Sequence, residues 1–568
     1  MAPQPSGAGS NKPRKRKRHV RSYSLQLPSK PFPLASFIHP FRSSSMQRLV
    51  LPTVLTTAFI FRWAVTYGPY SGEHTPPMFG DFEAQRHWME ITIHLPISRW
   101  YWYDLQWWGL DYPPLTAYHS WLCGIIGSIV DKSWFALDDS RGYESYNQRV
   151  FMRATVAVSD YLIYIPSIVI FTKWYSRTTG TDKYDRYIGL AILLASPGLI
   201  IIDYGHFQFN SVMLGLAILS FASFLADRLL WGSLLFVMAL CFKQMGLYYA
   251  PAVFAYLLGL CVSFGSGGGD EEGMNGGLNI AGLVKIDVQT LVLLGITVIS
   301  TFGIIVAPFV VFHGAERGAL EQLGQMVHRV FPFARGLWED KVANFWCATN
   351  IVFKYREKLS TASLQKISLA MTILAILPFC LLLFLRPKKR LLPWGVAGCA
   401  WGFFLFSFQV HEKSVLLPMV AMTLVVAGGV DRDLLSWIGW ANNVAMFSMW
   451  PLLRREGLGL QYTVLTALWS WLLSLHELPS SIFAKALHVG FYAGAIALHG
   501  AELSIKGGVV DRFPDIWVVG NVILCFGAFV AMYLWCLYRM ADEAGLLDEM
   551  MLQQPAGEVE KERLKKVE

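Results

Sequence analysis

Four polar clusters interrupt a chain that is otherwise largely hydrocarbon. They are Asp81 with Asp111, His206 with Gln208, Arg335 with Glu339, and His411 with Lys413. Carboxylates beside cations at a dry boundary suit transfer from a phosphate leaving group. A carboxylate takes the proton of the attacking hydroxyl, and cations offset the charge that develops on the departing phosphate. Two of the clusters also have plainer readings. An Asp ahead of a helix is commonly an N-cap, and His411-Glu412-Lys413 reads equally as side chains snorkelling at a membrane interface. Other chemistries find little support. No Walker or Rossmann fingerprint occurs, and the Gly265-Ser-Gly-Gly-Gly269 run lacks the strand–helix context and the lysine of a phosphate loop. The eight cysteines form no CxxC pair, so neither a disulfide framework nor a zinc site is indicated.

The first cluster lies in a dense stretch, Gly80-Asp-Phe-Glu-Ala-Gln-Arg-His-Trp-Met-Glu90. Its spacing predicts a short amphipathic helix. Asp81, Gln85 and Trp88 share one face, and Glu83, Arg86, His87 and Glu90 share another. Pro96 stops that helix. The aromatic run 100–108 suits the headgroup level of a bilayer. Asp111-Tyr-Pro-Pro114 starts a second helix, since proline is well accepted at a first helical position. That helix, over 115–130, is expected to lie in the interface, with a true span as the alternative. Inside predicted spans, Arg62, Arg153, Asp160 and Lys243 are costly in hydrocarbon. Arg153 and Asp160, seven apart, lie on one helix face and are placed to pair indirectly. Lys243, in Cys241-Phe-Lys-Gln-Met245, reads as functional rather than as a helix–helix contact alone.

These residues must be positioned by membrane helices. The chain has 568 residues, 54% hydrophobic and 15% charged, and its repeated apolar runs reach spanning length. An all-α polytopic membrane protein with about fourteen spans follows, carrying interfacial helices in its first lumenal loop, 68–148. The net charge of +8 owes much to a basic arm, with Lys12, Arg14, Lys15, Arg16, Lys17, Arg18 and Arg21 close together. Ahead of a span, that run reads as a positive-inside anchor. The expected organisation is a basic arm over 1–46, a module over 47–263, a Gly-rich linker over 264–282, a second module over 283–540 and a tail over 541–568. If each segment crosses once from a cytosolic start, the basic loops 173–186 and 386–390 fall on the cytosolic side. All four polar clusters then fall on the opposite side, and both termini are cytosolic. That count is sensitive to 342–354, which could be a further span. Lys565 and Lys566 sit where a dilysine retrieval signal of the endoplasmic reticulum would stand.

The strings Gly80–Glu90, Trp108-Gly-Leu-Asp-Tyr-Pro-Pro114, Gly205-His-Phe-Gln208, Cys241–Met245, 331–346 and Gln409-Val-His-Glu-Lys-Ser414 occur in this order. Together they resemble the endoplasmic-reticulum glucosyltransferases that use dolichyl-phosphate-glucose, members of the GT-C superfamily. The resemblance runs from about 47 to 540 and is closest to the members that add the first glucose to the lipid-linked oligosaccharide. It implies a GT-C fold and transfer from dolichyl-phosphate-glucose to the terminal mannose of Man9GlcNAc2-pyrophosphate-dolichol, in α-1,3 linkage with inversion. It implies that Asp81 is the catalytic base and that Asp111 organises the site or the acceptor sugar. Arg335, His411 and Lys413 become candidates for the donor phosphate, and His206, Gln208 and Glu339 for further substrate contacts. No cofactor, metal cluster or nucleic acid is implied, and a monomer in the endoplasmic-reticulum membrane is expected. The members that add the second glucose and the protein mannosyltransferases are the nearest enzyme alternatives. A transporter or lipid scramblase is the non-enzyme alternative, for which inverted repeats would be expected.

Overall fold

The computed structural model describes residues 32–43, 45–264, 278–280, 284–331 and 341–548. The basic cluster at 12–21, the linker core 265–277, Arg335, Glu339, Lys565 and Lys566 lie outside them. The described chain is mostly helical. Its longer helices, in order, are α1 (Val50–Val65), α2 (Asp81–His94), α3 (Pro114–Val130), α4 (Tyr146–Thr179), α5 (Lys183–Phe207), α6 (Asn210–Leu225), α7 (Leu229–Phe242) and α8 (Ala250–Cys261). They continue as α9 (Val288–Val311), α10 (Ala319–Val330), α11 (Thr361–Leu385), α12 (Leu392–Phe406), α13 (Arg432–Ser448), α14 (Gly459–Leu472), α15 (Ile482–Ser504) and α16 (Ile516–Ala544).

Among the described residues, six helices are long and apolar enough to cross a membrane, namely α4, α5, α9, α11, α15 and α16. Four shorter apolar helices, α1, α6, α7 and α8, add to them. The stretch 342–354 is no span: it holds only the short helix Phe345–Thr349 amid turns. One departure from an all-helical chain occurs beside the linker. The strands Val262–Phe264, Leu278–Ile280 and Val284–Ile286 form a small antiparallel sheet with the last strand central.

Local sequence explains the element ends that matter for the site. Gly80, in extended conformation, caps α2, and Asp81 and Glu83 occupy its first turn, where the helix dipole favours acids. Leu95 and Pro96 close it. Pro113 caps α3 and Pro114 opens it. Asp182 caps α5 by accepting from the Tyr184 and Asp185 amides. Two helices widen into π-turns, α4 over Asp160–Tyr164 and α5 over Ile201–Phe207. Such widened turns rotate the residues that follow and recur at functional sites. The second of them carries His206.

The charges buried within the helices join one segment to another. Arg62 Nε lies 2.8 Å from Asp160 Oδ2, tying α1 to α4. The Tyr204 hydroxyl donates to the same carboxylate oxygen at 2.7 Å. Arg153 donates to the carbonyls of Tyr204, Gly205 (2.8 Å) and Pro69 (3.1 Å). Arg153 and Asp160 are therefore linked through Tyr204, and both serve to fix the last turn of α5. Partnered in this way, buried charges are tolerated.

The segment 68–148 and α10 form a cap over one end of the bundle. Although α2 is amphipathic in sequence, both its faces are covered: Phe82 through Thr92 are all buried. Its apolar side meets Tyr70, whose ring centroid lies 4.1 Å from that of Phe82, and Phe207 at 4.8 Å. Its charged side is met by partners within the helix and by Trp134, Asp138 and Ser140 beside it. Arg86 forms a two-pronged pair with Glu83 (2.7 and 2.8 Å) and a third bond to Glu90 (2.6 Å). α10 turns Met326 and Val330 into a cluster with Trp100, Tyr101 and Phe309. Its Gln322 accepts from Trp102 at 2.8 Å, Gln325 donates to the Tyr101 carbonyl at 2.9 Å, and Arg329 donates to the carbonyls of Gly109 and Leu110.

Candidate active site

A cavity of about 680 Å³ opens between this cap and the bundle, and Asp81 stands in its wall. The backbone around Asp81 is set by close approach. Gly72 has φ of +78°, and a Cβ there would lie 1.9 Å from the Gly80 nitrogen. The Asp81 amide donates to Ser71 Oγ at 3.2 Å, and the Ser71 amide donates to the His206 carbonyl at 3.0 Å. The start of α2 is thus fastened to the end of α5.

The Asp81 side chain does not cap its helix. Its Oδ2 accepts from Lys413 Nζ and from Gln208 Nε2, and lies 2.9 Å from His206 Nε2. No described residue donates to Oδ1. Lysine can only donate, and this fixes the Gln208 amide. Lys243 Nζ contacts Gln208 Oε1 at 3.1 Å, so the amide NH2 must point to Asp81. Lys243 also donates to Asn210 Oδ1 at 2.6 Å and sits 4.8 Å from the centre of the Tyr112 ring. Below it, Asp203 accepts from Asn210 Nδ2 at 2.9 Å and from the Ser211 amide at 2.7 Å, capping α6. On the far side of His206, Nδ1 lies 2.6 Å from Glu456 Oε2.

The electrostatics follow from this arrangement. Burial alone would push the Asp81 carboxyl up. The Lys413 ammonium and His206 outweigh it and hold the carboxyl well below the usual range. Lys413, which burial alone would neutralise, is kept charged by Asp81, and its titration moves upward. Asp81 nevertheless retains about a quarter of its side-chain exposure, 26%. It is a stable, accessible carboxylate.

Of the eight residues singled out in sequence, four converge in direct contact: Asp81, His206, Gln208 and Lys413. Asp111 and His411 line the same cavity. Arg335 and Glu339 lie outside the described residues. Lys243, singled out as a functional lysine, buttresses Gln208. The predicted face of α2 is also found in place, since Asp81, Gln85 and Trp88 line the cavity together. Glu456, Asn210 and Arg329 were not foreseen. Glu456 follows Arg454 and Arg455 in a short charged turn between apolar helices, which in sequence reads as an ordinary loop. Its reach to His206 depends on a contact across 250 residues.

Comparison with known proteins adds a family. The ALG6, ALG8 glycosyltransferase family matches residues 58–538. A relative from Schizosaccharomyces pombe, named a probable dolichyl pyrophosphate Man9GlcNAc2 alpha-1,3-glucosyltransferase, is 46% identical over 509 residues, which cover 89% of this chain and 95% of the relative. A Saccharomyces cerevisiae relative named dolichyl pyrophosphate Man9GlcNAc2 alpha-1,3-glucosyltransferase is 42% identical over 539 residues, covering 89% and 94%. A Gallus gallus protein of that name is 42% identical over 426 residues, covering 74% and 78%.

Proposed function

This chain belongs to the ALG6, ALG8 glycosyltransferase family, and from that premise we propose how its cavity works. The chain is an α-1,3-glucosyltransferase. It moves glucose from dolichyl-phosphate-glucose to the terminal mannose of Man9GlcNAc2-pyrophosphate-dolichol, with inversion at the anomeric carbon. The acceptor in the relatives' names carries no glucose, which favours addition of the first glucose over the second. Family membership leaves a transporter or scramblase without support.

The observation that carries the mechanism is the carboxylate of Asp81. It is held ionised, and its Oδ1 carries no bond from a described residue. An acceptor hydroxyl seated at Oδ1 gives its proton to Asp81 as its oxygen attacks the anomeric carbon. The bond from that carbon to the phosphate oxygen breaks on the opposite side, and dolichyl phosphate leaves. Lys413, with His411 and Arg335, meets the charge that appears on the phosphate. When Lys413 turns from Asp81 to the phosphate, the carboxylate loses its main stabilising charge and becomes a stronger base as the donor arrives. Asp111 organises the acceptor sugar. The protein acts as a monomer in the endoplasmic-reticulum membrane, with this cavity lumenal and both termini cytosolic.

The test is turnover and donor binding measured on the same purified preparations. Asp81→Asn keeps the size of the side chain and loses its basicity. It is expected to lower kcat by about 10²–10⁴-fold while retaining dolichyl-phosphate-glucose binding. Near-normal turnover in this variant would return Asp81 to a structural role.

A further inference from the structure

We propose that Glu456 is a positioning residue for the transfer: it orients the His206 ring and keeps it doubly protonated, so that an imidazolium aims Asp81. This inference rests on the assignment of Asp81 as base and extends it to a residue of the second half of the chain.

The geometry is a line of three groups. Glu456 Oε2 lies 2.6 Å from His206 Nδ1, and His206 Nε2 lies 2.9 Å from Asp81 Oδ2. An ionised carboxylate can only accept, so an imidazole that bonds both of these must donate from both nitrogens. A neutral ring has one donor nitrogen; with Nδ1–H on Glu456 it would turn the Nε2 lone pair to Lys413 and to Asp81 Oδ2 at 2.9 Å, and the second contact would then be repulsive. The ring is 2% exposed and Glu456 is 6% exposed, so water does little to screen the pair. The His206 backbone that carries the ring is also held in place. Its peptide belongs to the π-turn of α5, and Arg153 fixes the carbonyl of Gly205 just before it at 2.8 Å.

The charges around the ring come from several elements. Asp81 belongs to α2 and Glu456 to the turn before α14. Lys413 Nζ, from the turn after α12, lies 3.0 Å from Nε2; a lysine can only donate, so its ammonium opposes a proton on that nitrogen, while the two carboxylates favour one and outweigh it. Arg153 of α4 lies behind, Asp203 is three residues before on the same turn, and Lys243 stands beyond Gln208. Glu412 and Arg455 share the cavity wall. Within this set, Glu456 and Asp81 are the two carboxylates in hydrogen-bond contact with the ring. Removing the charge of Glu456 leaves Lys413 opposing the imidazolium with one carboxylate instead of two to hold it.

The consequence is a pH dependence with a definite sign. An opposite charge in contact favours the charged form of its partner by about 1–3 pH units. E456Q keeps an acceptor for Nδ1 and deletes the charge, so His206 loses its second proton at a lower pH. The alkaline fall of kcat, measured with both substrates saturating, is expected to move down by about one unit or more. E456D, which keeps the charge, is expected to hold the wild-type limb with a reduced plateau. A loss by the same factor at every pH in E456Q, or equal shifts in E456Q and E456D, would overturn the proposal. Should E456Q fail to fold, the wild-type profile decides the question. An alkaline fall at or below the ordinary histidine range, about 6.5, would also overturn it, because burial and Lys413 pull that range down and the two carboxylates outweigh them. Asp81→Asn separates the two readings. If it is inactive while E456Q keeps the wild-type limb, the base stands and only the role of Glu456 falls.

Discussion

Asp81 is held by three donors on one oxygen, and the two of its contacts that carry charge are unequal. The Lys413 charge is the largest single influence keeping the carboxyl ionised, ahead of the His206 hydrogen bond and charge. Lys413→Met should therefore act twice. Donor binding should weaken, because a phosphate contact is lost. The acidic limb of kcat/KM should move to higher pH, because an Asp81 freed from the ammonium protonates more readily. A pH series on this variant reads both effects, and a limb that stays in place would show that Lys413 does not tune the base. Lys243 acts one step removed. It contacts Gln208 and Asn210, and it decides which end of the Gln208 amide meets Asp81.

At the scale of the element, α2 works because its charged face is met by partners in the helix and in the segment 134–140 beside it. Glu90 is fully buried, and burial would raise its carboxyl. Bonds from His87 and Arg86 and from the Asp138 amide override this and bring it to about 2. A carboxyl depressed from about 4.5 stabilises the fold above that ordinary value and loses the contribution as pH falls through about 2. Glu90→Gln should thus destabilise the protein most above pH ~5, and the difference from wild type should shrink toward pH ~2. Thermal melting across that range checks it. The entry to α2 is less forgiving. At Gly72 an added Cβ would meet backbone atoms of Phe79 and Gly80, none of which can rotate away. Gly72→Ala should move the start of α2 and lower kcat strongly while the helix itself persists, a loss that activity and circular dichroism measured together would show.

At the scale of the whole molecule, the site is assembled from both halves of the chain. Asp81, His206 and Gln208 come from before the linker, and Lys413 and Glu456 from after it. The bundle that brings them together contains a buried ion pair, Arg62 with Asp160, that joins α1 to α4. Arg62→Met leaves Asp160 without its cation in a buried position, a change that costs about 3–5 kcal/mol. Arg62→Met with Asp160→Leu removes both charges and should recover much of that loss. Melting temperatures of the two variants in the same detergent test the pair, and equal losses would show that Asp160 is satisfied by Tyr204 alone.

Much of this was written locally. Periodicity and the positions of Gly80, Pro96, Pro113 and Pro114 determined α2 and α3, since helix ends depend on neighbouring residues. The shared face of Asp81, Gln85 and Trp88 follows from helical spacing alone. Apolar length marked the chain as a membrane protein, and ordered motifs marked its family. Other features lay beyond local reading. The π-turn that delivers His206 has no sequence period of its own. The isolated reading of Asp81 as a cap failed because its partners sit 125 to 332 residues away. Glu456 looked like one charge in a polar turn, and nothing near it in sequence signals His206. Hydrophobic spacing determines which face of a helix is buried. Only the packing of helices distant in sequence decides which charge meets which, because a buried carboxylate is defined by the donors that the fold brings to it.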